Sequence, residues 1–125
     1  MHTPKPTESE LEILQILWQR GQATVREVHD DLTRTKESGY TTTLKIMQIM
    51  TEKGLVTRNE DNRTHIYTAA VKEEDMQKTL LDKFIDTAFR GSAMKLVMQA
   101  LGNHQTSPEE LAEIQQLLEK MHKRQ

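Results

Sequence analysis

The chain contains no cysteine. Disulfides, thiolate metal sites and thiol nucleophiles are therefore excluded. Aromatics are scarce as well: Trp18, Tyr40, Tyr67, Phe84 and Phe89 are all there are among 125 residues. Leucine, isoleucine, valine and methionine must fill the interior, and a core this thin points to stabilisation by self-association. No apolar run approaches the roughly 18 residues of a membrane span, and the opening "MHTPKPTESE" has no apolar signal core. The expectation is a cytoplasmic protein without membrane insertion. Excess positive charge is missing too, since the net charge is −2. Residues 1–70 hold nine Lys/Arg against ten Asp/Glu, and residues 71–125 hold eight against nine. Bulk charge does not advertise a nucleic-acid partner, so only its local distribution can.

What is present is helical periodicity with clear punctuation. "TESE" (Thr7 to Glu10), "TVRE" (Thr24 to Glu27) and "SPEE" (Ser107 to Glu110) each have the form of a capping box, the last with proline at the first helical position. The first helix carries Leu11, Leu14, Leu17 and Trp18 on one side, with Ile13 and Ile16 widening the stripe, and stops at Gly21. The second turns Val25, Val28 and Leu32 inward. A polar turn, Thr33 to Gly39, leads to "YTTTLKIMQIMTEKGLV" (Tyr40 to Val56). There Thr41 suits an N-cap, and Thr43, Ile46, Met47 and Met50 share the inward face at helical spacing. Thr41, Lys45, Gln48 and Glu52 lie opposite, flanked by Leu44 and Ile49. Gly54 ends this helix. Leu55 to Ala69 reads as two short strands around a polar turn at Glu60 to Arg63. Three further helices follow, over Lys72 to Arg90, Ser92 to Leu101 and from Ser107 onward.

Helix, helix, helix and hairpin in that order outline a winged helix-turn-helix. The fold expected is mainly α with a small β-hairpin wing. Residues 1–70 hold this winged-helix outline, and residues 71–125 hold the three further helices. The third helix supplies the chemistry. Its first turn offers unpaired backbone N–H groups and the positive end of the helix dipole, and Thr41 and Thr42 add short donors. Lys45 can meet guanine acceptors, Gln48 can make a two-point contact with adenine, and Leu44 or Ile49 can touch thymine methyls. Lys36, Lys45, Lys53, Arg58 and Arg63 cluster in or beside this helix and the wing, with Arg58 and Arg63 as candidate phosphate contacts. Apolar stripes run along the later helices through Met76, Leu80, Phe84, Ile85, Met94, Val97, Met98, Leu111, Ile114 and Leu118. An ordinary helix cap and solvated hairpin arginines account for the same residues singly. The agreement of helix order, hairpin and local charge favours double-stranded DNA as partner.

"TESELEILQILW" (Thr7 to Trp18), "YTTTLKIMQIMTEKGLV", the wing "RTHIYTA" (Arg63 to Ala69) and "FRGSAMKLVMQAL" (Phe89 to Leu101) also carry a resemblance. Over nearly its whole length the chain resembles the penicillinase-repressor family (BlaI/MecI/CopY) of winged-helix regulators. The resemblance implies a homodimeric repressor of resistance or stress-response genes, with residues 1–70 as a winged-helix DNA-binding domain and residues 71–125 as a helical dimerisation domain whose apolar stripes, Met76 to Leu118 as named above, supply the dimerisation residues. The mechanism expected is occlusion of an inverted-repeat operator by the two recognition helices. It also implies, for some members, inactivation by cleavage in the dimerisation region, with a membrane sensor-protease as partner. Three departures stand out. Gln99-Ala100 occupies the point where the penicillinase branch has Asn-Phe, the cysteines of the copper branch are absent, and Ile49 stands where many relatives have arginine. The alternative is a winged-helix protein-interaction module. An enzyme is the reading from a different class. His2, His29, His65, His104 and His122 lack ligand spacing, "EKMH" (Glu119 to His122) reads as a solvated pair, and no phosphate loop, nucleophile elbow or carboxylate pair is found. No enzyme activity, cofactor or metal is expected.

Overall fold

Three of the helices begin where the sequence writes a reciprocal cap. In the computed structural model, which describes residues 4–61 and 63–124, Thr7, Thr24 and Ser107 each accept the third helical N–H. Glu10, Glu27 and Glu110 each return a bond to the cap backbone. The elements are α1 (Glu8–Arg20), α2 (Val25–Leu32), α3 (Tyr40–Lys53), β1 (Val56–Asn59), β2 (Ile66–Ala69), α4 (Glu73–Phe89), α5 (Ala93–Asn103) and α6 (Pro108–Lys123). The chain is mainly helical with one two-stranded antiparallel hairpin, and the hairpin follows the third helix. Residues 1–80 and 81–125 form two compact units.

In the N-terminal unit the core is assembled from every element. Ile13, Leu14 and Leu17 of α1, Val28 of α2, and Met47 and Met50 of α3 are wholly removed from solvent, as is Leu55 just before β1. Val56 and Tyr67 of the hairpin join them. Each such side chain contributes about 1.5–3 kcal/mol relative to an exposed one. The α1 stripe is centred on Ile13, Leu14 and Leu17, while Leu11, Ile16 and Trp18 are only half-buried. The reason is that α1 touches α2, α3 and β2, so the deepest line of the helix is the one between those neighbours.

The hairpin pairs Val56 with Ala69 and Asn59 with Ile66 at its two ends. It is anchored by a contact that its own sequence does not announce. Ala23, in the α1–α2 connection, exchanges both backbone bonds with Tyr67 at 3.0 and 2.8 Å. Trp18 Nε1 donates to the Val71 carbonyl at 2.9 Å, tying the end of α1 to the chain that leaves β2.

The boundary expected between residues 70 and 71 lies just ahead of α4, whereas the N-terminal unit extends to Leu80. Met76 is buried in its core and Leu80 packs against that core. Both were expected at a dimer interface. In this structure the first turns of α4 complete the N-terminal unit.

The C-terminal unit has a different surface. No residue of α5 or α6 is buried. Leu81, Phe84, Met94, Val97, Met98, Leu101, Leu111, Leu117, Leu118 and Met121 are all exposed. The rings of Phe84 and Phe89 meet edge-on with centroids 5.7 Å apart. The end of α4 turns through Arg90 at φ 52° and Gly91 at φ 84°. Gly91 N–H donates to the Ile85 carbonyl at 3.0 Å, a closing bond of the Schellman kind.

Candidate nucleic-acid interface

The third helix starts at Tyr40, with Gly39 as its N-cap in extended conformation (φ −78°, ψ 148°) and no side-chain cap bond. Thr41 is therefore not the cap that its residue type implied. It is the second residue of the helix, because the extended Gly39 lets the turn begin one residue before the threonines. Thr43 is the threonine that faces inward. Its hydroxyl lies 3.2 Å from His29 Nδ1 and donates to the Gly39 carbonyl at 3.4 Å. Thr41, Thr42, Lys45 and Gln48 are exposed, and their side chains form no hydrogen bond to another described residue. The inward face is as its spacing indicates, with Thr43, Met47 and Met50 buried and Ile46 half-buried. Leu44 is half-buried against the core, and Ile49 is exposed at 38%.

The cluster of five cations does not survive intact. Lys53 Nζ donates to both oxygens of Glu10, at 2.8 and 3.0 Å. Glu10 is itself buried. Burial pushes its carboxyl pKa up, but the Lys53 ammonium and the Thr7 backbone and hydroxyl outweigh that and hold it below the usual carboxylate value. Lys36 pairs with Glu12 at 3.0 Å. Arg58, expected at a phosphate, is half-buried and its guanidinium donates to Glu60, while the nearby Tyr67 hydroxyl and Glu60 carboxylate raise its pKa. Lys36, Lys53 and Arg58 each have a carboxylate partner, the first two from distant α1 and the third from Glu60, two residues on. Lys45 and Arg63 are exposed and enter no ion pair among the described residues.

One exposed cation was missed. Arg26, in the first turn of α2, sits over the Tyr40 ring with its guanidinium carbon 4.7 Å from the centroid. His29 meets the same ring edge-on at 5.6 Å. Arg26, Tyr40, Leu44, Arg63 and His65 line a cleft of about 250 Å³ between α2, α3 and the hairpin. The capping box that marks the start of α2 hid Arg26, since it explains the neighbouring Thr24 and Glu27 and says nothing of the ring that α3 brings. Among the described residues no group of three acidic or histidine side chains is arranged to hold a metal, and no helix is long and apolar enough to cross a membrane.

The penicillinase repressor family profile matches residues 6–120. The chain belongs to that family. It is similar to the penicillinase repressor of Bacillus licheniformis, with 26% identity over 93% of this chain and 91% of the relative. It is also similar to the methicillin resistance regulatory protein MecI of Staphylococcus epidermidis, with 23% identity over 91% and 93% respectively. In fold, it resembles the solution structure of the DNA-binding domain of the repressor BlaI. That likeness has a TM-score of 0.53 and 23% identity over 59% of this chain and 90% of that one. A MarR mutant from E. coli complexed with operator DNA covers 93% of this chain and 75% of its own, with a TM-score of 0.52 and 15% identity.

The penicillinase repressor profile runs from before α1 into α6, so it takes in both compact units. Of the ten residues expected at a dimer contact, Phe84, Met94, Val97, Met98, Leu111 and Leu118 are exposed, and Ile85 and Ile114 are half-buried. Met76 and Leu80 are the two committed to the N-terminal unit. Gln99 and Ala100 are exposed within α5.

Proposed function

We propose that this DNA-binding transcriptional repressor of the penicillinase repressor family acts as a homodimer on an inverted-repeat operator and controls resistance or stress-response genes. The observation that carries the reading is the free outer side of α3. Thr41, Thr42, Lys45 and Gln48 all point away from the core and are exposed. A major groove about 12 Å wide admits a helix in this manner. Lys45 and Gln48, a turn apart, reach base edges, while Thr41 and Thr42 meet the sugar-phosphate at the helix start. Arg63 is the wing's phosphate contact, and Arg58 is engaged within the wing by Glu60.

Support for the dimer comes from the apolar side chains that the C-terminal unit leaves in water. Patches of this kind mark association surfaces. Two copies of α3 would then occupy successive major grooves about 34 Å apart. Pairing also doubles the number of phosphate contacts, which offsets the chain's net charge of −2. The MecI relative bears the name of a methicillin resistance regulator, and that supports resistance genes as targets. A repressor of this kind works in the cytoplasm, beside the DNA. Induction through a sensor-protease would require attack at or near Gln99-Ala100.

Selection of bound duplexes from a random pool tests the reading. A palindromic consensus with half-sites about one helical turn apart is expected. An unrelated collection of sequences, or binding indifferent to salt, would leave a protein-interaction module instead. On the selected duplex, Lys45→Ala is expected to weaken binding by about 1–3 kcal/mol and to relax preference at one base pair, without changing the melting temperature. An unaltered gel shift would remove Lys45 from the interface.

A further inference from the structure

The cleft between α2, α3 and the hairpin has two arginines and no acid in its lining. Its floor is apolar, formed by Val25, Leu44 and Tyr67. We infer that Arg26, Tyr40 and Arg63 form a clamp for one backbone phosphate of the DNA strand at the rim of the groove entered by α3. The inference rests on the repressor reading above and adds residues to it.

Three observations lead there. First, Arg26 and Arg63 form no ion pair among the described residues, whereas other arginines of this unit do. Arg20 binds Asp31 at 2.7 Å and also faces Glu27, and Arg58 is held by Glu60. Both arginines of the cleft are thus uncompensated, as is Lys45 on the outer side of α3. Second, Arg26 is not a loose side chain. Its guanidinium rests 4.7 Å from the Tyr40 ring centre, and that ring is braced by His29, which contacts Thr43. Stacking of this sort limits the rotamer freedom that an arginine gives up on binding. Third, Leu44, which lines the cleft, is next to Lys45 on α3. A strand whose bases meet Lys45 passes the cleft mouth with its phosphates. Two planar guanidinium forks with an apolar backing suit the paired oxygens of a phosphodiester. The clamp positions the duplex and carries no sequence information of its own. Arg26 and Tyr40 are positioning residues.

The test uses the full chain and the duplex recovered from the random pool, with affinity measured across a salt series. Arg26→Gln should raise Kd about 5- to 10-fold, equally on the selected and on a scrambled duplex. It should also flatten the slope of log K against log salt by about 0.9 for each phosphate no longer neutralised. Arg26→Lys should keep the slope and recover part of the affinity, and Tyr40→Leu should lower affinity with the slope kept. In a series of duplexes with single neutral methylphosphonates, one position should cost the wild type but not Arg26→Gln. An unchanged slope in Arg26→Gln would overturn the clamp. So would a weakening confined to one base pair, or penalties that add at every methylphosphonate position. A wild-type chain with no salt-dependent affinity for any duplex would instead overturn the repressor reading.

Discussion

The two compact units use their apolar residues in opposite ways. The N-terminal unit encloses them. Ile13, Leu14, Leu17, Met47 and Met50 have no exposure left, and an ion pair, Glu10–Lys53, closes one edge. In the C-terminal unit Met94 is 75% exposed, Met98 67% and Leu118 58%. Both units are written in amphipathic helices. The difference is the number of partners: α1 has three neighbouring elements within its own unit, while the stripes of α5 and α6 have too few to be covered. One unit is complete as a fold. On the dimer proposal, the other is complete only with a second chain.

The sharpest way to break that contrast is Phe84→Asp. A charge in the shared apolar face should yield monomers by light scattering at micromolar concentration. Affinity for a palindromic duplex should fall by at least about 100-fold, as the end of linked binding dictates, while a half-site should be bound nearly as before. A persistent dimer would move the interface off Phe84. Next in size is Leu14→Ala, which should destabilise the N-terminal unit by about 2–5 kcal/mol in urea unfolding because it leaves a cavity. A cost near zero would mean that α1 is not the centre of that core.

Acid provides a smaller test of the enclosed unit. The folded Glu10 carboxyl titrates below its usual value, as does Asp31, which is held down chiefly by its bond to Arg20. Groups lowered on folding stabilise fully above their unfolded values of about 4 and cease to do so as pH falls through the folded ones. The N-terminal unit should therefore weaken as pH falls from about 5 toward 3, and Glu10→Gln should flatten part of that slope. An identical slope in the variant would deny the Glu10–Lys53 pair this role. The smallest effect belongs to Leu118→Ala, on the exposed stripe. It should alter the monomer's stability by less than about 0.5 kcal/mol and change only the concentration dependence of melting.

Much of the fold was legible because its rules are local. Each capping box needs two residues three apart, and all three were found in the structure as written. The inward face of α3 followed from spacing alone. What the sequence hid depends on residues distant along the chain. Lys53 is 43 residues from the glutamate that engages it, and Arg26 lies over a ring supplied by the next helix. The Ala23–Tyr67 bridge has no strand pattern, since one residue cannot show a period of two. Met76 looked like part of one long apolar arc, and only packing divides that arc between two units. In the candidate interface, Thr41, Thr42, Lys45, Gln48 and Arg63 could be named from the outer side of a helix and a hairpin turn. The engagement of Arg58 by Glu60, two residues on, is local in sequence.

Trp18 has a practical consequence. It is the only indole in the chain, and its N–H is bonded to the Val71 carbonyl within the N-terminal unit. Its emission therefore watches one half of the molecule, while circular dichroism sums the helices of both. Melting followed by the two signals in parallel gives a label-free clock for each half, and any gap between the curves measures how far one half outlasts the other.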